Sequence, residues 1–450
     1  MNCHHNVAQL RRLQARYPEE LVVIGVHSAK FPAEKQTENI RQAVQRHGIH
    51  HPVVNDADFQ IWSRYGVRAW PTLILIDPAG KVVAQHAGEV EASDLYPLLD
   101  ELIAEAESQG LLDRTPVPGL RRELATEPRP LHYPSKVLYA AGDRLFVADT
   151  GHHRILEVQL DLEGRSGEIV RVFGRGEPGL ADGPIAQAAL HDPHGLALRG
   201  TTLYVADTEN HAIRAIDLVR ETVRTVAGTG RKGRGPQPQT TEPTAIDLRS
   251  PWALAPLENV LFIAMAGSHQ IWVLIDEERL GVFAGNGREA LVDGPRDRAS
   301  FNQPSDLALA MGHLFVADAE ASAIRAITLD EQMQVMTLVG QGLFEFGDVD
   351  GVGAAVRLQH PTGLATDGEL LYIADSYNHK IKTLDPTTGK VATLVGTGTA
   401  GAVDGPFAQA QLYEPEGVAV ANGRLYMADT NNHCIRVGDL ARRELWTLAL

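Results

Sequence analysis

Hydrophobic and polar positions follow a recurring pattern over most of this chain. In residues 203–214, LYVADTENHAIR, an apolar and aromatic run leads into small and polar residues and then into an apolar alternation. This order predicts a strand, a tight turn and a second strand. Similar segments begin at five further positions: Leu145, Leu261, Leu314, Leu371 and Leu425. The aligned turn positions are 58, 58, 53, 57 and 54 residues apart, a period too long for most helical solenoids.

Two further signatures flank each copy. A proline-led segment such as DPHGLAL, residues 192–198, lies upstream, and a glycine-ended segment such as TVAGTG, residues 225–230, lies downstream. Proline costs no ladder hydrogen bond at the first residue of a strand. Each repeat therefore holds four short strands, and six such sheets can bury both faces by packing in a ring. We expect an all-β, six-bladed β-propeller over residues 131–450.

Apolar residues with a fixed spacing are expected to pack between neighbouring blades. Each stands eight positions after the Asp of an Asp-Gly link, or after Thr240 where that Asp is replaced. They are Leu190, Leu248, Phe301, Leu358 and Leu412.

The repeats resemble NHL repeats, whose blades carry Pro-x-Gly followed by Val-Ala-Asp-x-x-x-His-x-Ile-Arg. Asp207 and His211 stand in this pattern; five of the six copies keep the Asp and five keep the His. Catalytic groups are seldom repeated around a ring, so we expect both residues to serve the turn of each blade.

The first 109 residues alternate helical and strand patterns, which indicates an α/β domain. Helices are predicted from Cys3 to Tyr17 and over 38–47, 59–65 and 92–107. Strands are predicted over 21–28, an apolar run typical of a buried strand, and over 72–76 and 82–83. The predicted organisation is a domain over 1–109, a linker over 110–130 and the propeller over 131–450.

Three strings carry a resemblance that covers nearly the whole chain. They are IGVHSAKFP from Ile24, HPVVNDAD from His51 and WPTL from Trp70. They resemble the NHL-repeat-containing protein 2 family, in which a thioredoxin-like domain precedes an NHL propeller. The resemblance implies thiol–disulfide exchange, with catalytic roles for Cys3, Trp70 and Pro71. A cis proline faces the active-site cysteines in such folds. A helix N-terminus lowers a thiol pKa, so Cys3 could also be reactive alone. The alternative for Cys3 is a small residue packed at a helix start.

The start of the chain departs from the family pattern. The family's Cys-x-Asn-Cys motif follows the first core strand, and Asn2-Cys3 supplies only its last two positions. We expect the start to be incomplete, with a strand and a first cysteine upstream and Cys3 as the resolving cysteine. Neighbouring strands would then be unpaired and apolar surface exposed.

Composition narrows the possible partners. The net charge is −16, and an acidic surface repels phosphate backbones, so nucleic acid is excluded as an expected partner. No apolar run approaches the length of a membrane span. Two cysteines do not suggest a disulfide framework, which favours a reducing compartment such as the cytoplasm. Paired histidines lack metal-ligand spacing, and the Gly-x-Gly strings precede no helix, so neither metal nor cofactor is expected.

The positions after each blade proline vary while the neighbouring strand residues barely change. Innermost strands line the channel of a propeller, so these side chains could ring its mouth and bind a ligand or partner. Unconstrained loop variation is the alternative. The expected mouth residues are Ser135, Lys136, His194, Trp252, Ser305, Asp306, Thr362 and Glu416.

The third blade breaks the pattern, since Met265 replaces the turn Asp and Trp272 the usual cation. With Trp252 on the same blade, we expect a contact surface for the thioredoxin-like domain or a partner here.

Two function classes remain open on the sequence. One is a redox protein whose propeller recruits a protein-thiol substrate; the other is a non-enzymatic scaffold for protein–protein contact. A propeller hydrolase would need acidic metal ligands, for which Asp306 with Glu416 is thin support.

Overall fold

The computed structural model describes residues 2–117, 120, 128–235 and 239–450. The chain divides into two compact units, Met1–Pro128 and Arg129–Leu450. Part of the predicted linker, residues 118, 119 and 121–127, lies outside the described residues.

The first unit alternates helices with short strands, as the sequence predicts. Its elements are α1 (Asn2–Arg16), β1 (Gly25–His27), α2 (Thr37–Arg46), β2 (Val53–Asn55), α3 (Gln60–Arg64), β3 (Thr72–Ile76), β4 (Val82–Ala87) and α4 (Ala92–Ser108). β1 pairs in parallel with β2, and β3 pairs antiparallel with β4. Leu13 and Tyr17 of α1 pack against Ala92 and Leu99 of α4.

The predicted buried strand over residues 21–28 is wrong in length and burial. Only Gly25–His27 is a strand, and Val22 and Ile24 are 53 % and 56 % exposed. The strand is short and exposed because it has few neighbours: within the part of the chain that the structure describes, β1 is hydrogen-bonded to β2 alone. Apolar side chains of this segment are therefore exposed.

The second unit consists of six antiparallel sheets, and the strands of the first three blades follow the repeat. Blade 1 comprises β5 (Lys136–Ala140), β6 (Arg144–Asp149), β7 (Arg154–Leu160) and β8 (Gly167–Phe173). Blade 2 comprises β9 (Gly183–Pro184), β10 (Pro193–Arg199), β11 (Thr202–Asp207), β12 (Ala212–Asp217) and β13 (Thr222–Ala227). Blade 3 comprises β14 (Pro251–Leu257), β15 (Val260–Met265), β16 (Gln270–Ile275) and β17 (Arg279–Ala284).

The other three blades each have five strands, as blade 2 does. Blade 4 comprises β18 (Gly294–Pro295), β19 (Pro304–Ala310), β20 (His313–Asp318), β21 (Ala323–Thr328) and β22 (Gln334–Val339). Blade 5 comprises β23 (Gly351–Val352), β24 (Pro361–Thr366), β25 (Leu371–Asp375), β26 (Lys380–Asp385) and β27 (Lys390–Val395). Blade 6 comprises β28 (Gly405–Pro406), β29 (Pro415–Ala421), β30 (Arg424–Asp429), β31 (Cys434–Asp439) and β32 (Glu444–Thr447).

The six-bladed β-propeller is confirmed, with one addition to the predicted four strands per blade. In blades 2, 4, 5 and 6 the Asp-Gly link adds a two-residue strand to the outer edge. Asp182 explains the addition in blade 2, because its carboxylate accepts the amide of Thr225 (3.1 Å) on the outermost long strand, β13. Gly183, at φ 126°, then turns the link along that strand in a conformation that glycine tolerates.

The core of the propeller lies at the seams, meaning the boundaries between neighbouring blades. The five residues predicted to pack there, from Leu190 to Leu412, are all fully or almost fully buried among side chains of two adjacent blades. The seam between blades 6 and 1 is also hydrogen-bonded, since Trp446 Nε1 donates to the Gly164 carbonyl (2.8 Å) and the Gly167 amide to the Ala449 carbonyl (2.8 Å).

Candidate functional site

The exposed thiol of Cys3 lies in the first turn of α1. One turn later, the buried side chain of Asn6 fixes this end of the helix: Nδ2 donates to the Gly88 carbonyl (3.1 Å), and Oδ1 accepts the amide of Val90 (2.9 Å). His5 adds a contact from Nδ1 to Glu89 Oε1 (2.7 Å). The start of α1 is therefore held against the segment that follows β4.

The same segment holds the loop that contains Trp70 and Pro71. The Trp70–Pro71 peptide bond is cis, and the Gly88 amide donates to the Pro71 carbonyl (2.8 Å). Trp70 Nε1 donates to the Ser28 carbonyl (2.8 Å) at the end of β1. Gly88 thus bonds both to Asn6 of α1 and to Pro71, which places Cys3 and the cis proline at the same end of the unit.

The setting of Cys3 is compatible with thiol chemistry, because its side chain is exposed and lies at the start of a helix. Amides at a helix N-terminus stabilise a thiolate, and the thiolate is the form of cysteine that attacks disulfides. Cys434 is a contrast, because burial in blade 6 raises the pKa of its thiol to about 12. The two sulfurs belong to different compact units and form no disulfide.

The repeated histidines lie at the seams. In five seams the Nδ1 of a turn histidine is within hydrogen-bond distance, 3.1–3.3 Å, of a backbone amide at the start of the next blade, which donates to it. The histidines are His153, His211, His269, His379 and His433. In the remaining seam Ser322 Oγ accepts the amide of His360 (3.2 Å). The expectation of a turn role was therefore incomplete, because this side chain joins one blade to the next.

The repeated Asp is buried in each blade that keeps it. Asp207 accepts the Arg214 guanidinium (2.8 Å), Asn210 Nδ2 (2.8 Å) and the His191 amide (2.7 Å). Burial raises the pKa of Asp207 to about 6, while the nearby Arg214 charge acts in the opposite direction. Arg214 also reaches Asp182 (2.7 Å), the residue that holds the Asp-Gly link. These hydrogen bonds and ion pairs around Asp207 and Arg214 therefore have a structural role in the blade.

The prediction of a contact surface on blade 3 is wrong for Trp272, one of the two tryptophans on which it rests. Trp272 is 2 % exposed and packs with Met265 in the seam between blades 2 and 3. The two replacements fill the site of the ionic network with apolar volume, so Trp272 exposes no surface. Trp252 is half-buried, with its ring 4.1 Å from that of His194 on blade 2.

The predicted mouth residues divide into three groups. Ser135, Ser305 and Thr362 are buried, and their hydroxyls bond within the propeller; Ser305 Oγ, for example, donates to the Pro361 carbonyl of the next blade (3.1 Å). Their role in binding stays a prediction.

Lys136 and Asp306 form the second group. Lys136 Nζ on blade 1 lies 2.8 Å from Asp306 Oδ2 on blade 4, and it also donates to the carbonyls of Thr362 and Glu416. Blades 1 and 4 lie on opposite sides of the ring of six blades, so this ion pair crosses the channel.

His194, Trp252 and Glu416 form the third group. Burial lowers the pKa of His194, and the Glu416 carboxylate, close enough to interact, acts in the opposite direction. Trp252 and Glu416 keep partly exposed side chains. These two are the predicted mouth residues best placed to meet a partner.

Membrane spans and metal centres can be looked for only among the described residues. Within residues 2–117, 120, 128–235 and 239–450, no helix is long and apolar enough to cross a membrane. Nor does any group of three or more His, Cys, Asp or Glu side chains among these residues have the geometry to hold a metal ion.

Comparison with family models and known proteins matches both units. A thioredoxin-like family model matches residues 1–82, and an NHL repeat model matches residues 412–437. Protein SUPPRESSOR OF QUENCHING 1, chloroplastic, of Arabidopsis thaliana is 44 % identical over 99 % of this chain, which spans 44 % of that protein. NHL repeat-containing protein 2 of Gallus gallus is 41 % identical over the whole chain, which spans 66 % of it.

A shorter match is confined to part of the chain. Thiol-disulfide oxidoreductase ResA of Halalkalibacterium halodurans is 29 % identical over 86 residues, covering 19 % of this chain and 47 % of that protein. The matches to the Arabidopsis thaliana and Gallus gallus proteins extend across both the thioredoxin-like unit and the propeller of this chain. The chain belongs to the NHL repeat-containing protein 2 family, with a thioredoxin-like domain followed by a six-bladed NHL β-propeller.

Proposed function

We propose that the thioredoxin-like unit carries out thiol–disulfide exchange through Cys3 and that the propeller recruits the protein substrate. The thioredoxin-like domain and the NHL repeats support a redox-related protein that carries a propeller. The observation that carries the finer proposal is the placement of Cys3: its exposed thiol lies at the start of α1, which Asn6 and Gly88 tie to cis-Pro71. The resemblance to a named thiol-disulfide oxidoreductase over part of the chain adds support.

The proposed exchange reaction needs only one thiol of this chain, that of Cys3. The Cys3 thiolate attacks one sulfur of a substrate disulfide, the S–S bond breaks, and the second substrate sulfur leaves as a thiolate. Cys3 is then held in a mixed disulfide. A second thiol, from the substrate or from a small thiol of the glutathione class, attacks the substrate sulfur of that bond and releases Cys3 as a thiolate.

Recruitment by the propeller is supported by the geometry of its axis. Because Lys136 and Asp306 meet across the channel, a partner would bind the rim of the ring instead of entering it. Trp252 and Glu416 are the proposed contacts. Trp252→Ala is expected to weaken capture of a protein substrate without changing the reaction of Cys3 with a small disulfide.

The test of the exchange reaction uses the full chain and a small aromatic disulfide that releases a coloured thiolate. We expect Cys3→Ser to remove the rapid release of colour. Cys434→Ser is the matched control and should leave it unchanged, because a buried thiol with a raised pKa holds little thiolate. A Cys3 rate no higher than that of cysteine in an unstructured peptide would contradict the proposal and favour the scaffold.

A further inference from the structure

We propose that a pocket between blades 5 and 6 binds a primary ammonium group on an apolar stem, either a small amine or the side chain of a lysine. The pocket has a volume of about 350 Å³, which is within the range of small-molecule sites. We call it the seam pocket. The residues that define it chemically are Thr366, Asp367, Val420, Asn422 and Leu440. The site belongs to the propeller alone and does not depend on the proposed exchange reaction.

Comparison of two seams explains the space in the seam pocket. Val420 of blade 6 and Tyr139 of blade 1 occupy corresponding positions, since each follows its blade proline by five residues and pairs with a Leu on the following strand. Between blades 6 and 1, the ring of Tyr139 stacks on that of Tyr426, with 5.4 Å between centroids. Between blades 5 and 6, the corresponding core residues are Tyr372 and Val420, and Val420 has no ring. The smaller side chain leaves room for a ligand.

The seam pocket contains a carboxylate without a cation. Asp367 accepts the amides of Glu369 (3.0 Å) and Leu370 (2.8 Å) and the hydroxyl of Tyr372 (2.8 Å). Among the residues that the structure describes, no Lys, Arg or His forms an ion pair with it. Although burial alone would raise it, these hydrogen bonds lower the pKa of Asp367, so the carboxylate is charged at neutral pH. A carboxylate has about four acceptor positions, so Asp367 can accept a further donor.

Two neutral acceptors line the same pocket. The hydroxyl of Tyr139 donates to Asp143 (2.6 Å), so it accepts the hydrogen bond that Asn422 Nδ2 donates (2.8 Å). This bond fixes which end of the Asn422 amide is the donor and leaves Oδ1 as an acceptor. Thr366 Oγ1 accepts the amide of Gly368 (3.0 Å) and has a second lone pair. The polar groups that the pocket offers are therefore mainly acceptors.

This set of groups defines the class of ligand. A primary ammonium has three N–H donors, a positive charge and no acceptor, which matches one carboxylate and two neutral acceptors. The half-buried side chains of Val420 and Leu440 supply an apolar wall against which methylene groups can pack, as the stem of a lysine does. A quaternary ammonium has the charge without the donors, and an alcohol lacks the charge. Both should therefore bind more weakly than a primary amine.

The test is a saturation-transfer NMR titration of the full chain with pentylamine at neutral pH. We expect a dissociation constant in the millimolar range, as is usual for so small a ligand. Pentanol and pentyltrimethylammonium should bind at least about tenfold more weakly, because hydrogen bonds to a charged group contribute about that factor. Blocked Gly-Lys-Gly and Gly-norleucine-Gly peptides form a second arm. A Lys peptide that binds more tightly than pentylamine assigns the site to a protein lysine, and one that binds more weakly assigns it to small amines.

Three variants separate the pocket from the overall charge of the protein. Val420→Tyr should lower the affinity for pentylamine at least about tenfold by filling the space, and it should fold because Tyr139 holds the same position in blade 1. Asp367→Asn should lower the affinity by about the same factor. Glu258→Gln is the matched control: it removes one exposed carboxylate from the corresponding turn of blade 3 and should change the affinity less than about twofold. Urea unfolding checks that each variant is folded.

Each outcome decides for or against the seam pocket. Preference for pentylamine over both analogues, lost in Val420→Tyr and Asp367→Asn and kept in Glu258→Gln, supports it. Equal binding of pentylamine and pentanol overturns it. An equal loss of affinity in Asp367→Asn and Glu258→Gln also overturns it, because the carboxylate would then act only through the net charge. If Asp367→Asn does not fold, Val420→Tyr decides, and an unchanged affinity in that variant overturns the proposal.

Discussion

Replacing His379 by Ser should make the propeller less sensitive to acid. His379 is 4 % exposed and joins blades 5 and 6 by accepting the amide of Glu414. Burial lowers the pKa of its imidazole to about 4. Protonation of Nδ1 would place an N–H donor opposite the amide N–H of Glu414, and the hydrogen bond would be lost. Serine should keep an acceptor there without the titration, because Ser322 already plays this part between blades 4 and 5.

The sign and size of the pH effect on the free energy of unfolding follow from the protonation of His379 in the folded and unfolded chains. The pKa of His379 is lower in the folded chain than the value of about 6.5 in the unfolded chain, so folding favours the neutral form. The stabilisation is complete above about pH 6.5 and is lost as the pH falls toward 4. The full loss is about 3 kcal/mol, and about 2 kcal/mol of it occurs by about pH 5.

The assay is urea unfolding of the wild type and His379→Ser at about pH 7.5 and about pH 5, with the difference taken at each pH. At neutral pH the variant should be less stable, since it loses the packing of His379 on Tyr413. That deficit should shrink by about 2 kcal/mol at the lower pH. The reverse change, Ser322→His, should add acid sensitivity. The reasoning is refuted if the deficit of His379→Ser is the same at both pH values.

Two sets of substitutions test the interior of the propeller. Lys136→Met should destabilise the chain by about 3–5 kcal/mol in urea unfolding, because it leaves the Asp306 carboxylate without its cation; adding Asp306→Asn should recover part of the loss, and no recovery would contradict the pairing. Met265→Asp should also destabilise the chain, by about 3 kcal/mol, since it buries a charge beside Trp272. Adding Trp272→Arg and Thr240→Asp should restore stability, measured in the same way, and a triple variant no more stable than Met265→Asp would contradict the network's role.

The propeller was predictable from the sequence because its signals are local and repeated. Each strand pair is encoded within a dozen residues, and the buried position of Leu190 follows from its spacing to Asp182. The Lys136–Asp306 pair was not predictable. These residues are 170 positions apart, and only closure of the ring brings them together. Three other blades carry Gly at the matching position, so the charged residues at 136 and 306 were a signal, but this signal did not specify a partner.

The candidate thiol site was predictable only in part. The resemblance pointed to Cys3, Trp70 and Pro71, but nothing in the pattern identified Asn6, whose side chain bonds to a segment more than eighty residues away. Asp56 was missed because an Asp before a short helix is common at helix starts. Its importance lies in the simultaneous bonds to Trp62 and Ser28, which require the folded loop.

Blade 3 shows what the buried network of Asp and a cation does in blades 2, 4, 5 and 6, where the cation is Arg or, in blade 5, Lys382. Met265, Trp272 and Thr240 replace all three members together, as expected because a remaining Asp or Arg would be a buried charge without its partner. The blade still forms four paired strands and buries its seam, so the network is not needed for the sheet. What differs is the link, for Thr240 makes one isolated bridge to Leu280 in place of the two-residue strand. The network therefore stabilises the position of the Asp-Gly link along the outer strand, while apolar packing at the seams holds the blades together.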